Sequence, residues 1–212
     1  GKSVAVNYFI ALFKKEFSVT VLSRGYGRVS KGFRLGDASS TAKSVGDEPK
    51  MFLGRHPEIR VGVSNSRRVG MKKLLAIPQN GKQAVYLCDD FFQHSLLKPS
   101  CMWLLTTYDK RYIKDFLLPV GNLRELSEGA SRADAILVTK CPTNISKAEK
   151  EYFTERIQLK KHQKLFFTTI KYGEKIYNSE RKISLSVLEK ISFVLVTGIA
   201  DPSLLIRFLK NK

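Results

Sequence analysis

Ala84-Val85-Tyr86-Leu87-Cys88-Asp89-Asp90-Phe91-Phe92-Gln93-His94 is the stretch on which the fold turns. A short strand-like run ends in two carboxylates, with an amide and an imidazole just beyond. Compact runs of this kind read as strands buried on both faces of a parallel sheet. In open α/β sheets, ligands gather outside the carboxyl ends of the strands. An acidic residue there is placed to hold the Mg²⁺ of a nucleoside triphosphate. The simpler reading is a solvated Asp-Asp turn, but four polar groups of such different chemistry at one strand end favour a site.

Outward from this stretch, apolar runs alternate with helical patterns. Strands are expected at Val19–Ser23, Ile59–Ser64, Ala84–Cys88, Met102–Thr106, Ala135–Thr139, Leu165–Ile170 and Ser192–Thr197. Helices are expected at Ser3–Phe17, Asp47–Arg55, Arg67–Ile77, Ser146–His162 and Pro202–Leu209. Strands alternating with helices imply βαβ units and a mostly parallel sheet flanked by helices. Ser146 with Glu149 three residues on forms a capping-box pattern, with Tyr152, Phe153 and Ile157 facing inward. Asp201 suits an N-cap and Pro202 the first helical position. A boundary is expected near Lys161–Lys164, giving a main domain over 1–163. Residues 164–212 then hold linker strands and the start of a smaller α/β domain.

Three cysteines, Cys88, Cys101 and Cys141, form no CxxC pair and are expected as buried free thiols in a reducing cytoplasm. No run reaches the ~18 apolar residues of a membrane span. Lys and Arg number 37 against 19 Asp and Glu, a formal charge of +18. Such a field favours polyanions: nucleic acid, an anionic membrane surface or phosphorylated small molecules. The basic residues are dispersed and no aromatic stacking platform accompanies them, so nucleic acid is not the expected partner.

Four further motifs carry chemistry. Gly1-Lys2-Ser3 runs straight into a helix, as the end of a phosphate-binding loop does. There helix N–H groups cradle phosphates, the Lys reaches the β- and γ-phosphates and the Ser hydroxyl binds Mg²⁺. The tripeptide alone occurs often by chance. Val45-Gly46-Asp47-Glu48-Pro49 is either a helix N-cap or a carboxylate placed to accept a hydroxyl proton. Ser23-Arg24-Gly25-Tyr26-Gly27-Arg28 follows a strand and offers close backbone approach with two forked cations. Leu118-Pro119-Val120-Gly121-Asn122-Leu123-Arg124-Glu125 on its own is a loop with a charged pair.

Taken in order, GKS, LSRGYGR, VGDEP, CDDFFQH, LLPVGNLRE, RADAILVTKCP and VTGIADP resemble the tetraacyldisaccharide 4'-kinase family, the lipid A 4'-kinases, over nearly the whole chain. The resemblance implies a P-loop NTPase-like fold truncated at its N-terminal start. It implies transfer of the γ-phosphate of ATP, with Mg²⁺, to the 4'-hydroxyl of a tetraacylated disaccharide 1-phosphate. The product is lipid IVA, made at the cytoplasmic face of the bacterial inner membrane, where the full-length protein is either peripheral or N-terminally anchored. The partners implied are the lipid A disaccharide precursor and an anionic membrane surface, with no obligate protein partner. Carried over by motif, Gly1, Lys2 and Ser3 serve the phosphates, with Lys2 also catalytic. Asp47 is the base. Glu48, Asp89, Asp90 and Gln93 organise ATP and Mg²⁺, the metal falling to Ser3, Glu48, Asp89 and Gln93. Arg24, Tyr26, Arg67, His94, Arg124 and Glu125 line the substrate side.

The chain departs from the family pattern in places. Phe91 stands where the family has a small residue, usually Gly, and a ring there is expected to crowd the acidic turn. Ser95 replaces a common Arg, and Ser64-Asn65-Ser66-Arg67 lacks a common acid. A family motif whose His assists the base would follow Lys212. Two other readings therefore stand beside the kinase: a non-catalytic relative with Phe91 as the lesion, and a basic polyanion-binding module.

Overall fold

The protein is described here by a computed structural model covering residues 2–78, 81–94, 96–109, 112–177, 181–199 and 201–211. Gly1 and Ser95 thus lie outside the described residues. The chain divides into two compact units, Gly1–Thr169 and Ile170–Lys212.

The larger unit begins with α1 (Lys2–Phe13), which leads into β1 (Ser18–Ser23). A short β2 (Arg34–Gly36), α2 (Ala42–Val45) and α3 (Asp47–Arg55) precede β3 (Arg60–Val63), α4 (Arg67–Leu75) and β4 (Ala84–Cys88). The four strands form one sheet in the order β2-β3-β1-β4. β1 runs parallel to both β3 and β4, and β2 is an antiparallel edge. Val19, Val21, Val61 and Val63 meet Ile10 of α1 and Phe52 and Leu53 of α3 in one core cluster. Both strands are buried on both faces along nearly their whole length, Thr20 included, as in a covered parallel sheet.

A second, all-parallel ladder, β5-β6-β7, comprises β5 (Trp103–Thr107), β6 (Ala135–Thr139) and β7 (Lys164–Phe167). Parallel pairing is as expected, but in two ladders rather than one. Among the described residues β4 makes no ladder with β5; a cleft of about 490 Å³ is lined by both. The unit also extends past the boundary expected at residue 163, because β7 is hydrogen-bonded to β6.

The α5 helix (Lys147–Ile157) carries the expected capping box: Ser146 Oγ accepts from Glu149 N, and Glu149 accepts from Ser146 N. Phe153 and Ile157, one turn apart, enter the second core. Tyr152 does not join them; about 100° around the helix from Phe153, it is exposed and lies under Arg156. The free cysteines also differ from expectation, since Cys101 is exposed, Cys88 half-buried and only Cys141 buried.

The smaller unit holds an antiparallel pair, β8 (Lys175–Tyr177) and β9 (Lys182–Ser184), and α6 (Ser203–Lys210). The α6 helix starts one residue later than expected, with Pro202 before it, yet Asp201 still accepts from Ser203 N at 3.1 Å. Ser192–Thr197, expected as a strand, forms no ladder among the described residues.

Candidate functional site

Three chain segments meet where β4 ends. Lys2 opens α1 and places its ammonium 3.5 Å from Asp89 Oδ1 and 3.6 Å from Asp90 Oδ1. Ser3, the next residue, donates its hydroxyl to Glu48 of α3. The second residue of α3 is thereby tied to the first turn of α1, where unpaired helix N–H groups favour anions.

The acidic turn is asymmetric. Asp89 is only 4% exposed, while Lys2 is 43% exposed. Burial pushes the Asp89 carboxyl up; Lys2 opposes this, and the charges of Glu48 and Asp90 reinforce it. Ser23 Oγ donates to Asp89 Oδ2 at 3.5 Å, while Asp89 Oδ1 is buried with no hydrogen-bond partner and faces the Lys2 ammonium at the same 3.5 Å. Asp90 goes the other way: burial pushes it up, and Lys2 and Arg124 outweigh that to hold it below the usual carboxylate range. Arg124 Nη1 lies 3.5 Å from Asp90 Oδ2.

Asp47 is the first residue of α3, not its cap. The N-cap is Gly46, with φ of 99°, where a Cβ would lie 2.9 Å from the Tyr26 carbonyl oxygen. Glycine is needed there on both counts. The Ser23–Arg28 loop is therefore packed against the start of α3, and the Asp47 side chain is exposed with no hydrogen bond or ion pair to any described residue. A carboxylate spared from capping is available for proton transfer.

The remaining expected residues separate into groups. Arg124 and Glu125 line the cleft with Lys2, Asp89, Asp90 and Gln93. The Gln93 amide nitrogen donates to Glu125 Oε1 at 3.2 Å. His94 lies on the ring of Phe91 at 5.4 Å. Tyr26 is 89% exposed and Arg24 is exposed. Arg67 does not reach the substrate side: it is 2% exposed, and its guanidinium bonds backbone carbonyls. Phe91 is buried and lines the same cleft, and the left-handed residue of the turn is Asp90, with φ of 52°.

Two residues of the site carried no role from sequence. Arg132 holds Glu125 at 2.7 Å and the Phe92 carbonyl at 3.3 Å, with its guanidinium 4.9 Å from the Phe92 ring centroid. Asp115 accepts from Asn122 N and Nδ2, both at 3.1 Å, closing the loop that delivers Arg124. Their nearest signal is spacing: Glu125 and Arg132 are opposite charges seven residues apart.

Among the described residues no three His, Cys, Asp or Glu side chains form a metal cluster. The set present is a hydroxyl (Ser3), a carboxylate bonded to it (Glu48) and a buried carboxylate oxygen without a hydrogen bond (Asp89). These are hard oxygen donors in small number. That suits Mg²⁺, which takes one or two carboxylates and fills its remaining positions with phosphate and water.

A sequence model of the family described as tetraacyldisaccharide-1-P 4'-kinase (LpxK) matches residues 1–212. The chain belongs to this family. A tetraacyldisaccharide 4'-kinase of Flavobacterium johnsoniae is 41% identical over 212 residues, covering 100% of this chain and 62% of the relative. One from Parabacteroides distasonis is 41% identical over 207 residues, covering 96% of this chain and 56% of the relative. A solved LpxK from Aquifex aeolicus, in complex with ATP, superposes with a TM-score of 0.75 at 27% identity, covering 100% of this chain and 63% of that one. The chain thus spans about three fifths of the length of these 4'-kinases. Its α/β architecture is that of the P-loop NTPase-like LpxK fold.

Proposed function

We propose that the full-length protein transfers the γ-phosphate of ATP to the 4'-hydroxyl of a tetraacyldisaccharide 1-phosphate, the step that gives lipid IVA in lipid A synthesis. The observation that carries this reading is the junction at the end of β4. There the Lys2 ammonium bridges Asp89 and Asp90 while Ser3 holds Glu48. The 4'-kinase relatives and the ATP complex of the Aquifex aeolicus LpxK support it.

The residues divide the work as follows. Lys2, at the open end of α1, exchanges its aspartate partners for the β- and γ-phosphate oxygens when ATP arrives. Backbone N–H groups of the same helix end add to the anion site. Ser3, Glu48 and Asp89 would hold Mg²⁺, which neutralises phosphate charge and without which these carboxylates would repel ATP. Asp47, beside the Ser3-bound Glu48, accepts the proton of the sugar hydroxyl. The hydroxyl oxygen bonds to the γ-phosphorus, and ADP leaves with the bridging oxygen and its electron pair. Phosphoryl transfer depends on such positioning and charge neutralisation more than on covalent help from the protein. Arg124 and Glu125, on the cleft wall, and Tyr26 and Arg24, on the exposed loop, are the residues placed to meet the disaccharide. The excess positive charge suits the anionic surface of the inner membrane at its cytoplasmic face, where this substrate is presented.

The test is Asp47→Asn in the full-length enzyme with tetraacyldisaccharide 1-phosphate. Loss of a positioned general base lowers kcat by about 10²–10⁴-fold, while the KM for Mg·ATP stays near its wild-type value. An unchanged kcat would show that Asp47 is not the base.

A further inference from the structure

Among the described residues Arg67 is the largest fully buried side chain. Its Nη2 donates to the Asp89 carbonyl at 2.8 Å and to the Asp90 carbonyl at 3.5 Å, and its Nη1 donates to the Ser64 carbonyl at 3.2 Å. Nε is buried with no hydrogen-bond partner. A buried guanidinium with an unsatisfied donor is a poor choice for stability alone, since apolar residues of similar volume usually fill such space at no loss. What the guanidinium does hold is the backbone of two successive residues, one of them in the left-handed region.

The surroundings fix the guanidinium in turn. Ser66 caps α4 by accepting from Val69 N, which sets Arg67 at the first helical position. Gly70, one turn on, lies where a Cβ would come 2.9 Å from both Leu22 Cδ1 and Ser64 Cβ. The helix therefore seats directly on β1, and Arg67 reaches under the end of β4. With their carbonyls bonded to Arg67, Asp89 and Asp90 have carboxylates that meet Lys2.

We infer that Arg67 is a positioning residue for the phosphate and Mg²⁺ site: it clamps the Asp89 and Asp90 carbonyls from beneath so that both carboxylates face Lys2. The inference rests on the kinase reading above for its metal and nucleotide, but its tests do not need the transfer reaction.

The experiment uses the full-length protein with Arg67→Gln and Arg67→Lys. Three quantities are read: Mg²⁺-dependent binding of ATP by calorimetry, amide hydrogen exchange of the unliganded protein, and the melting temperature. In Arg67→Gln, the Mg²⁺ concentration for half-maximal ATP binding rises about 10–100-fold, the usual cost of losing an outer-shell support. Exchange at residues 88–94 accelerates at least about tenfold while β1 and β3 stay within about twofold. Arg67→Lys, which keeps the charge but loses the fork, falls between wild type and Gln on both readouts. The inference is overturned if both variants lower the melting temperature yet leave the Mg²⁺ dependence and the 88–94 exchange within twofold. If Arg67→Gln does not fold, Arg67→Lys alone decides by the same two readouts. A wild-type protein that binds Mg·ATP without phosphorylating the disaccharide would refute the kinase reading and leave this test intact.

Discussion

At the turn after β4 the unusual backbone falls on Asp90, whose φ is 52°, while the neighbouring Phe91 is buried with His94 stacked on it. Asp tolerates the left-handed region better than most residues because its short polar side chain bonds locally. Phe91 is therefore a packing residue. Phe91→Gly removes a buried ring and adds backbone freedom to the unfolded chain, and should cost about 3 kcal/mol or more in urea denaturation. Mg·ATP affinity should stay within about twofold, because the left-handed backbone of the turn falls on Asp90 and not on residue 91. A variant that keeps its stability and binds Mg·ATP tenfold tighter would show instead that the ring obstructs the turn. Residue roles of this kind were only partly legible in sequence. Lys2, Ser3, Glu48, Asp89 and Asp90 come together because the ends of strands and the start of a helix are placed by the fold class itself. Arg67 turns inward to the β4 end instead of the substrate side, because a motif gives spacing along the chain and not the direction a long side chain takes.

Among the elements, α5 shows how a local device reads through to stability. Glu149 accepts from Ser146 N and from the Tyr108 hydroxyl, tying the helix start to the end of β5. Those bonds, Tyr108 first and Ser146 second, hold its carboxyl down at about 2. Because this folded-state pKa lies below the unfolded value, Glu149 stabilises the fold above about pH 4.5, and that contribution fades as pH falls toward 2. The melting temperature of Glu149→Gln should therefore lie below wild type at pH 6, and the gap should close between pH 4.5 and 2. A gap that persists unchanged at pH 2.5 would mean that the carboxylate's charge is not the source. The helix was legible because Ser146 and Glu149 satisfy its first N–H groups from within the same segment. Ser192–Thr197 was misread for the complementary reason. Val194 and Val196 alternate as in a strand, yet both are 88% exposed. A strand exists only where a second strand pairs with it, and no short stretch of sequence contains that partner.

For the molecule as a whole, the α/β class was legible from alternation, whereas the break between its two ladders was not. Alternation counts strands and helices without saying which edges pair, and the cleft lies between β4 and β5, where residues from both ladders line it. The charge of +18 is likewise a whole-molecule property, set by composition and not by any one motif. Among the described residues no helix is long and apolar enough to cross a membrane. Near an anionic leaflet each basic residue contributes about 1 kcal/mol, and three acting together give roughly a 100-fold preference over a neutral surface. The field reaches about 10 Å at 0.1 M salt and about 3 Å at 1 M. The full-length protein should therefore sediment with phosphatidylglycerol vesicles at 0.05 M salt, release progressively by 0.5 M, and stay in solution with phosphatidylcholine vesicles throughout. Equal binding to the neutral vesicles would point to apolar insertion, and the charge would then have no part in attachment. A DNA filter-binding titration under the same conditions separates the remaining possibility: a basic binding module would prefer the nucleic acid, with a steep salt slope, over the vesicles. A preference for the vesicles over DNA is the outcome that favours the kinase reading over the binding module, since the substrate it proposes is an anionic lipid held in a membrane.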